Sequence, residues 1–162
     1  MEAALCSKSD RTYFKRLIYL AYMIQLYRLS MAELNHKQCN DKSFSGASYI
    51  VINYLTTLFC DESQRGNGNL RFFRTKYSLR MSAKSKDRLL GYIIAFCLNL
   101  NSFNLDTMAL STDLGITGTK LNSVAKELGC RVETSRKSGV ISKKIVLALP
   151  LVFPLMTRGS RK

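Results

Sequence analysis

A mainly α-helical α+β fold with small β-hairpins follows from three features of the 162-residue sequence. Apolar-rich segments at 11–30, 47–60 and 81–100 are longer than ordinary strands, which favours helices. Two shorter helical patterns, 106–114 and 117–129, open on capping residues and are separated by the turn "GIT". Alternating, β-rich stretches occur only beside turn-rich ones, around 61–77 and 130–151.

The elements follow in order. "RTYFKRLIYLAYMIQLYRLS" (11–30) has apolar residues on nearly every face, with Asp10 placed to cap it, and reads as a well-buried helix. "MAELNHKQCNDKSFSG" (31–46) is polar and reads as a loop or weak helix. "ASYIVINYLTTLFC" (47–60) carries β-branched residues that also suit a strand, but its length favours a helix. "DESQRGNGNLRFFRTKY" (61–77) reads as a hairpin loop feeding a strand. Ser82 is placed as the N-cap of a helix over 83–101, with apolar residues running from Leu89 onward. Asp106 caps a short helix to Leu114, and Thr117 caps a second that stops at Gly129 as a C′ glycine. "CRVET" (130–134) alternates, "SRKSGVISKK" (135–144) reads as a basic turn, and "IVLALPL" (145–151) as the return strand.

Helix, short helix, turn, helix, strand, basic loop, strand is the order of a winged helix, a helix-turn-helix variant with a β-hairpin appended. Residues 11–80 repeat that order of elements without repeating letters. The expected organisation is therefore a tandem winged helix: 10–80 the first unit, 81–151 the second, and 152–162 a basic C-terminal tail.

The net charge of +14, from 25 Lys plus Arg against 11 Asp plus Glu, points to a polyanionic partner. Both halves contribute, with 12 bases to 6 acids in 1–80 and 13 to 5 in 81–162. The five cysteines, Cys6, Cys39, Cys60, Cys97 and Cys130, form no CxxC knuckle, and their odd number argues against a secreted disulfide framework. They read as reduced, structural thiols of an intracellular protein. The longest apolar run, "LLGYIIAFCLNL" (89–100), falls short of the ~20 residues that a membrane helix needs. The N-terminus lacks the pattern of a signal peptide, and no membrane association is expected.

Catalytic chemistry finds no footing. The single histidine, His36, lies in a polar segment, so neither a catalytic triad nor a histidine metal site can be assembled. Asp61, Glu62, Asp106 and Asp113 read as solvated or capping carboxylates, and "GNG" is not a nucleotide fingerprint. No catalytic residue, metal or cofactor is expected.

The basic clusters carry more information. Eight bases from Arg65 to Arg88 face one acid, Asp87, with Phe72, Phe73 and Tyr77 interleaved; five from Arg131 to Lys144 face Glu133. Long cations on a hairpin reach phosphates without fixing a sequence. The expected duplex-DNA contacts are Arg71, Arg74, Lys76, Arg80 and Lys84, then Lys120, Lys126, Arg131, Arg136, Lys137, Lys143 and Lys144. The helix "TGTKLNSVAKELG" offers Thr119, Lys120, Asn122, Ser123 and Lys126 on its polar face. With one Asn and no Arg, it is expected to read sequence weakly.

Phe103-x-Leu105-Asp106, then Leu110, Asp113-Leu114, Leu121 and Ala125-Lys126, together with "LALPL" (147–151), resembles the C-terminal part of the forty-nine-kilodalton subunit family of RNA polymerase I. "MSAKSKDRLLGYIIAFCLNLNSF" is similar to the long helix leading into that region, and "YLTTLFC" with its Gly-rich turn to the end of the first winged helix. The likeness is strongest over 81–151. It implies a tandem winged helix related to the general factor TFIIE, without catalytic residues, that binds DNA near the promoter and supports initiation and elongation on ribosomal RNA genes. Implied partners are other RNA polymerase I subunits and a polymerase I initiation factor, in the nucleus and nucleolus. The family's N-terminal β-barrel is not in this sequence, which is expected to be a fragment or a short form. The competing expectation is a winged-helix protein–protein scaffold with no direct DNA role.

Overall fold

The computed structural model describes residues 8–30, 48–64, 77–137 and 140–154. The chain divides into two compact units, Met1–Leu89 and Leu90–Lys162. Helices predominate, accompanied by a two-stranded and a three-stranded antiparallel sheet, which makes the fold α+β as expected.

In the first unit α1 spans Lys8–Arg28 and α2 spans Tyr49–Phe59. Two expectations for α1 need correction. Lys8 and Ser9 are already helical, so Asp10 lies inside the helix rather than capping it. The helix is also buried only toward its C-terminal end, through Met23, Leu26 and Tyr27, while positions 11–18 are exposed throughout. Apolar residues on every face permit burial on any side, but packing partners decide which turns receive it.

The β-branched run of α2 is helical because the helix buries Ile52, Leu55 and Phe59 together. Thr56 and Thr57 also donate their hydroxyls to the carbonyls of Ile52 and Asn53, at 3.0 and 2.8 Å. Beyond it β1 (Asp61–Gln64) pairs with β2 (Tyr77–Arg80), Asp61 opposite Arg80 and Gln64 opposite Tyr77. The segment 31–46 lies outside the described residues, as do Phe72 and Phe73.

The helix α3 spans Ala83–Leu100 and starts where expected: Ser82 Oγ accepts the backbone N–H of Ser85 at 3.1 Å. After it, Ser102 and Phe103 adopt left-handed backbone with φ of 50° and 63°. Two successive non-glycine residues in this region cost roughly 1–2 kcal/mol each. Hydrogen bonds from Phe103 N to Leu98 O (2.7 Å) and from Leu147 N to Phe103 O (3.1 Å) hold the turn.

The turn delivers β3 (Asn104–Asp106), a strand too short to be legible in the sequence. Two short helices follow, α4 (Thr107–Leu114) and α5 (Gly118–Glu127), both capped as predicted. Asp106 Oδ1 accepts Met108 N–H at 2.8 Å, and Thr117 Oγ1 accepts Lys120 N–H at 3.4 Å. At the far end of α5 Cys130 N–H reaches Ala125 O at 3.0 Å and Gly129 N–H reaches Lys126 O at 2.9 Å. With φ of 82° at Gly129, this is a Schellman ending around the expected glycine.

The sheet has the order β3–β5–β4, with β4 at Arg131–Lys137 and β5 at Val140–Val146. Both strands run further into the basic segment than the sequence suggested, because a solvated sheet face accepts Arg, Lys, Ser and Thr once the backbone ladder is paired. Leu147–Leu151 lies beyond β5 rather than within it. That segment crosses the end of α5, and Val152 N–H bonds Gly129 O at 3.3 Å. The core of this unit is Ile93, Ile94, Cys97, Leu98, Leu105, Leu110, Leu114, Leu121, Val124, Ala125 and Ile145, each nearly or wholly inaccessible.

Gly115 and Gly129 separate two roles of glycine. Both have positive φ, but a Cβ at Gly115 would meet open space, whereas one at Gly129 would lie 3.1 Å from the Phe153 ring and 3.2 Å from Leu151 Cβ. Gly115→Ala should therefore cost about 1 kcal/mol, from backbone strain alone. Gly129→Ala should cost roughly 2–4 kcal/mol, because overpacking adds to the strain. Urea unfolding of the two variants checks the order, and equal losses would show that the 151–153 segment yields freely.

Candidate nucleic-acid interface

The expected DNA contacts fall into separate groups. Arg71, Arg74 and Lys76 lie outside the described residues. In the first unit Arg80 and Lys84 are exposed, Arg80 ending β2 and Lys84 in the first turn of α3. Arg80 sits across the strand pair from Asp61, an opposite-charge pairing of the kind that favours an antiparallel ladder.

Other bases of the same cluster are used internally. Lys86 Nζ lies 5.1 Å from the Tyr27 ring centroid, and the Arg88 guanidinium lies 5.5 Å from that of Phe59. Arg88 also donates to the carbonyl of Leu58. These two cations brace the helices of the first unit, at roughly 0.5–2 kcal/mol per ring contact. Sequence alone could not separate them from their solvated neighbours.

In the second unit Lys120 and Lys126 are exposed on α5, and Arg131, Lys143 and Lys144 on the hairpin. Arg136 and Lys137 are β4 residues, paired with Ile141 and Val140. The expectation that 135–144 is a basic turn is corrected by this register: β4 runs to Lys137 and β5 begins at Val140, so the strands carry these bases on either side of the hairpin turn. Adjacent lysines on a strand face opposite ways, so Lys143 and Lys144 occupy different environments. Lys143 is opposite Thr134, two positions along the same face from the buried Ile145. Lys144 is opposite Glu133 on one side and Asp106 on the other, an acid–base–acid row across the sheet. Of the two lysines, Lys144 is the one with acids at its paired positions.

The polar face of α5 is narrower than the sequence implied. Asn122 is half-buried, and the buried Thr107 donates its hydroxyl to Asn122 Oδ1 at 3.5 Å. The one residue suited to bidentate adenine contact is therefore engaged in packing α4 against α5. Thr119 and Ser123 remain exposed beside the lysines. At the end of α5 a mostly apolar cleft of about 270 Å³ is lined by Cys130, Val132, Val152 and Phe153, with Lys126 and Arg131 at its edge. Sequence reading missed this cleft because residues 151–154 reach it only by folding back over Gly129.

Among the described residues there is no cluster of His, Cys, Asp or Glu able to hold a metal ion, and no helix long and apolar enough to cross a membrane. His36, Cys6 and Cys39 lie outside them. Cys60, Cys97 and Cys130 are buried free thiols. Burial, and then the neighbouring Asp61, pushes the Cys60 thiol up to about 11. Burial, and then Asp113, does the same for Cys97, and burial alone raises Cys130. Protonated thiols are poor nucleophiles and poor metal ligands, so these three serve as small apolar side chains.

The described residues form a mainly helical α+β protein with two short antiparallel sheets, and its exposed cations are spread over α1, β2, α3, α5 and the β4–β5 hairpin. The family model described as A49-like RNA polymerase I associated factor matches residues 2–154, so the chain belongs to that family. The match includes the N-terminal helices, where the sequence likeness was thinnest. The chain is also 24% identical over 155 residues to DNA-directed RNA polymerase I subunit rpa49 of Schizosaccharomyces pombe (strain 972 / ATCC 24843). That alignment covers 89% of this chain and 34% of the relative, so the chain spans about a third of the relative's length.

The buried thiols give a pH test. A thiol whose folded value is raised stabilises the native state while both states hold the proton, and that contribution is lost as the unfolded chain deprotonates first. Native stability should fall as pH rises from about 9 to about 11, the window between the ordinary thiol value and that of Cys60 and Cys97. With Cys6 and Cys39 replaced by Ser, alkylation by iodoacetamide should be slow at pH 7 and quicken about tenfold per pH unit up to that range. Rapid labelling of the folded protein at pH 7 would contradict the burial.

Proposed function

We propose that this chain is a non-catalytic, DNA-binding region of an RNA polymerase I associated subunit. In this reading it supports initiation and elongation of ribosomal RNA gene transcription in the nucleus and nucleolus. It holds duplex DNA through largely sequence-independent backbone contacts, and it works with other polymerase I subunits and an initiation factor. Two winged helices, 10–80 and 81–151, carry the function.

Family membership supports the polymerase part of this reading. The observation that carries the DNA part is the second unit's topology: a helix, a short strand, two capped helices and a hairpin, with strand order β3–β5–β4. In a winged helix the second of the paired helices enters the major groove and the hairpin flanks it. Here those two elements carry Lys120, Lys126, Arg131, Lys143 and Lys144, all exposed. Asn122 is engaged with Thr107, which leaves phosphate contact as the main source of affinity.

A second reading, a protein–protein scaffold of the same fold, is favoured by large exposed apolar residues such as Tyr54, Tyr92 and Met108. Charge reversal separates the two. Replacing Arg136, Lys137, Lys143 and Lys144 with Glu should weaken binding to any duplex and flatten its salt dependence, whose log–log slope is about −0.9 per phosphate neutralised. Folding should persist, since surface changes generally stay within about 0.5 kcal/mol. Leu121→Asp should instead unfold the unit by burying an unpaired charge. Among single variants Lys143→Ala should weaken DNA binding more than Lys144→Ala, because two carboxylates flank Lys144. Fluorescence anisotropy across a salt gradient reads all of these. A folded four-Glu variant that binds DNA like the parent would leave the scaffold reading in place.

A further inference from the structure

The first turns of α1 carry a surface that the DNA reading does not use. Tyr13, Phe14, Leu17 and Ile18 are 45, 55, 36 and 52% exposed, four large apolar side chains in succession along one helix. At ~100° per residue they fall within a sector of ~140°, and the exposed Ala21 continues it toward the C-terminus. That width is typical of a helix face that packs on something. The rings of Tyr13 and Phe14 meet edge to face, with centroids 6.4 Å apart and planes at 72°. Arg11 and Lys15 follow one margin of the stripe and Arg16 the other, all three exposed. The helix as a whole sets five bases against one acid, Asp10 in its first turn.

We infer that this face docks an acidic amphipathic helix of a partner protein, with Tyr13, Phe14, Leu17 and Ile18 as the apolar anchors and Arg11, Lys15 and Arg16 as the charged rim. Charge complementarity selects the occupant. A second copy of the chain would bring three cations against three cations, and like charges across a helix pair are destabilising. Duplex DNA would satisfy the cations but leave the apolar stripe wet. An anionic membrane surface would also find bases on α1, whose sequence has five, Lys8, Arg11, Lys15, Arg16 and Arg28, and the vesicle arm of the test separates that occupant from the acidic helix. A helix with leucine-type residues on one side and Glu or Asp along both margins satisfies stripe and rim together. The inference does not rest on the DNA reading, since its residues lie outside the proposed DNA contacts.

The test uses the full chain and a labelled synthetic peptide of about five helical turns, with leucines at i, i+3, i+4 and i+7 and glutamates elsewhere. The parent should bind it and should bind the same peptide with lysines in place of glutamates at least tenfold more weakly. Replacing Phe14, Leu17 and Ile18 together with Ala, a strong helix former, should weaken the acidic peptide by about tenfold or more while duplex-DNA binding stays as in the parent. Reversing the rim with Lys15→Glu and Arg16→Glu should move the preference to the lysine peptide; this variant keeps the stripe and decides the matter if the alanine variant does not fold. The inference fails if the alanine variant binds as the parent does, or if rim reversal leaves the preference unchanged. It fails equally if sedimentation shows a dimer that the alanine variant loses. Binding to phosphatidylserine–phosphatidylcholine vesicles without binding to the acidic peptide would also overturn it.

Discussion

Register pairing of Leu105 with Ile145, and of Ile145 with Val132, lays three apolar side chains in one row across the sheet, and α4 and α5 close over it. Ile145 is inaccessible to solvent, and Leu105 is nearly so. Burying a side chain of this size contributes about 1.5–3 kcal/mol, and here it also joins the start of the unit to its end. Because β5 is the central strand, it fixes both neighbours at once. A slip of one residue would turn Ile145 to solvent and bring Lys144 into the core, so the register is strongly specified.

That constraint sets the charges as well as the core. Once Ile145 faces inward, Lys144 must face the other way, between Asp106 and Glu133. Lys143 returns to the first face, exposed and opposite an uncharged Thr134. Two adjacent lysines thus acquire different electrostatic surroundings from a single packing decision. The cap of α4 belongs to the same arrangement: Asp106 ends β3, accepts the first-turn N–H of Met108, and flanks Lys144. One side chain links the strand, the helix start and the charge row.

The first unit spends its cations differently. Lys86 and Arg88 lie over Tyr27 and Phe59, while Arg11, Lys15 and Arg16 stand on the exposed turns of α1. A net charge of +14 therefore says little about any single base. A cationic head over an aromatic ring ties a base to the packing of its own unit, and the same residue type on an open helix becomes part of a contact surface. The family assignment places such surfaces in an RNA polymerase I associated factor, whose curated relative is about three times as long as the matched region.

The helix boundaries were the most legible feature, because their signals are local. Ser82, Asp106, Thr117 and Gly129 each act through a hydrogen bond or a backbone dihedral within a few residues. The α+β class and the spacing of Leu110, Leu114, Leu121 and Val124 followed from the same short-range periodicity. What the sequence left undecided depends on partners distant along the chain. The short strand β3 exists only because β5 pairs with it, and β4 and β5 extend through a basic stretch because the ladder does not require apolar residues. Asn122 turned inward because Thr107 lies across from it, and α1 is exposed at its start because burial requires a neighbour as well as an apolar face. Local backbone chemistry thus determined where α3, α4 and α5 begin, while long-range pairing decided where the strands run, which faces are inside and which bases remain in water.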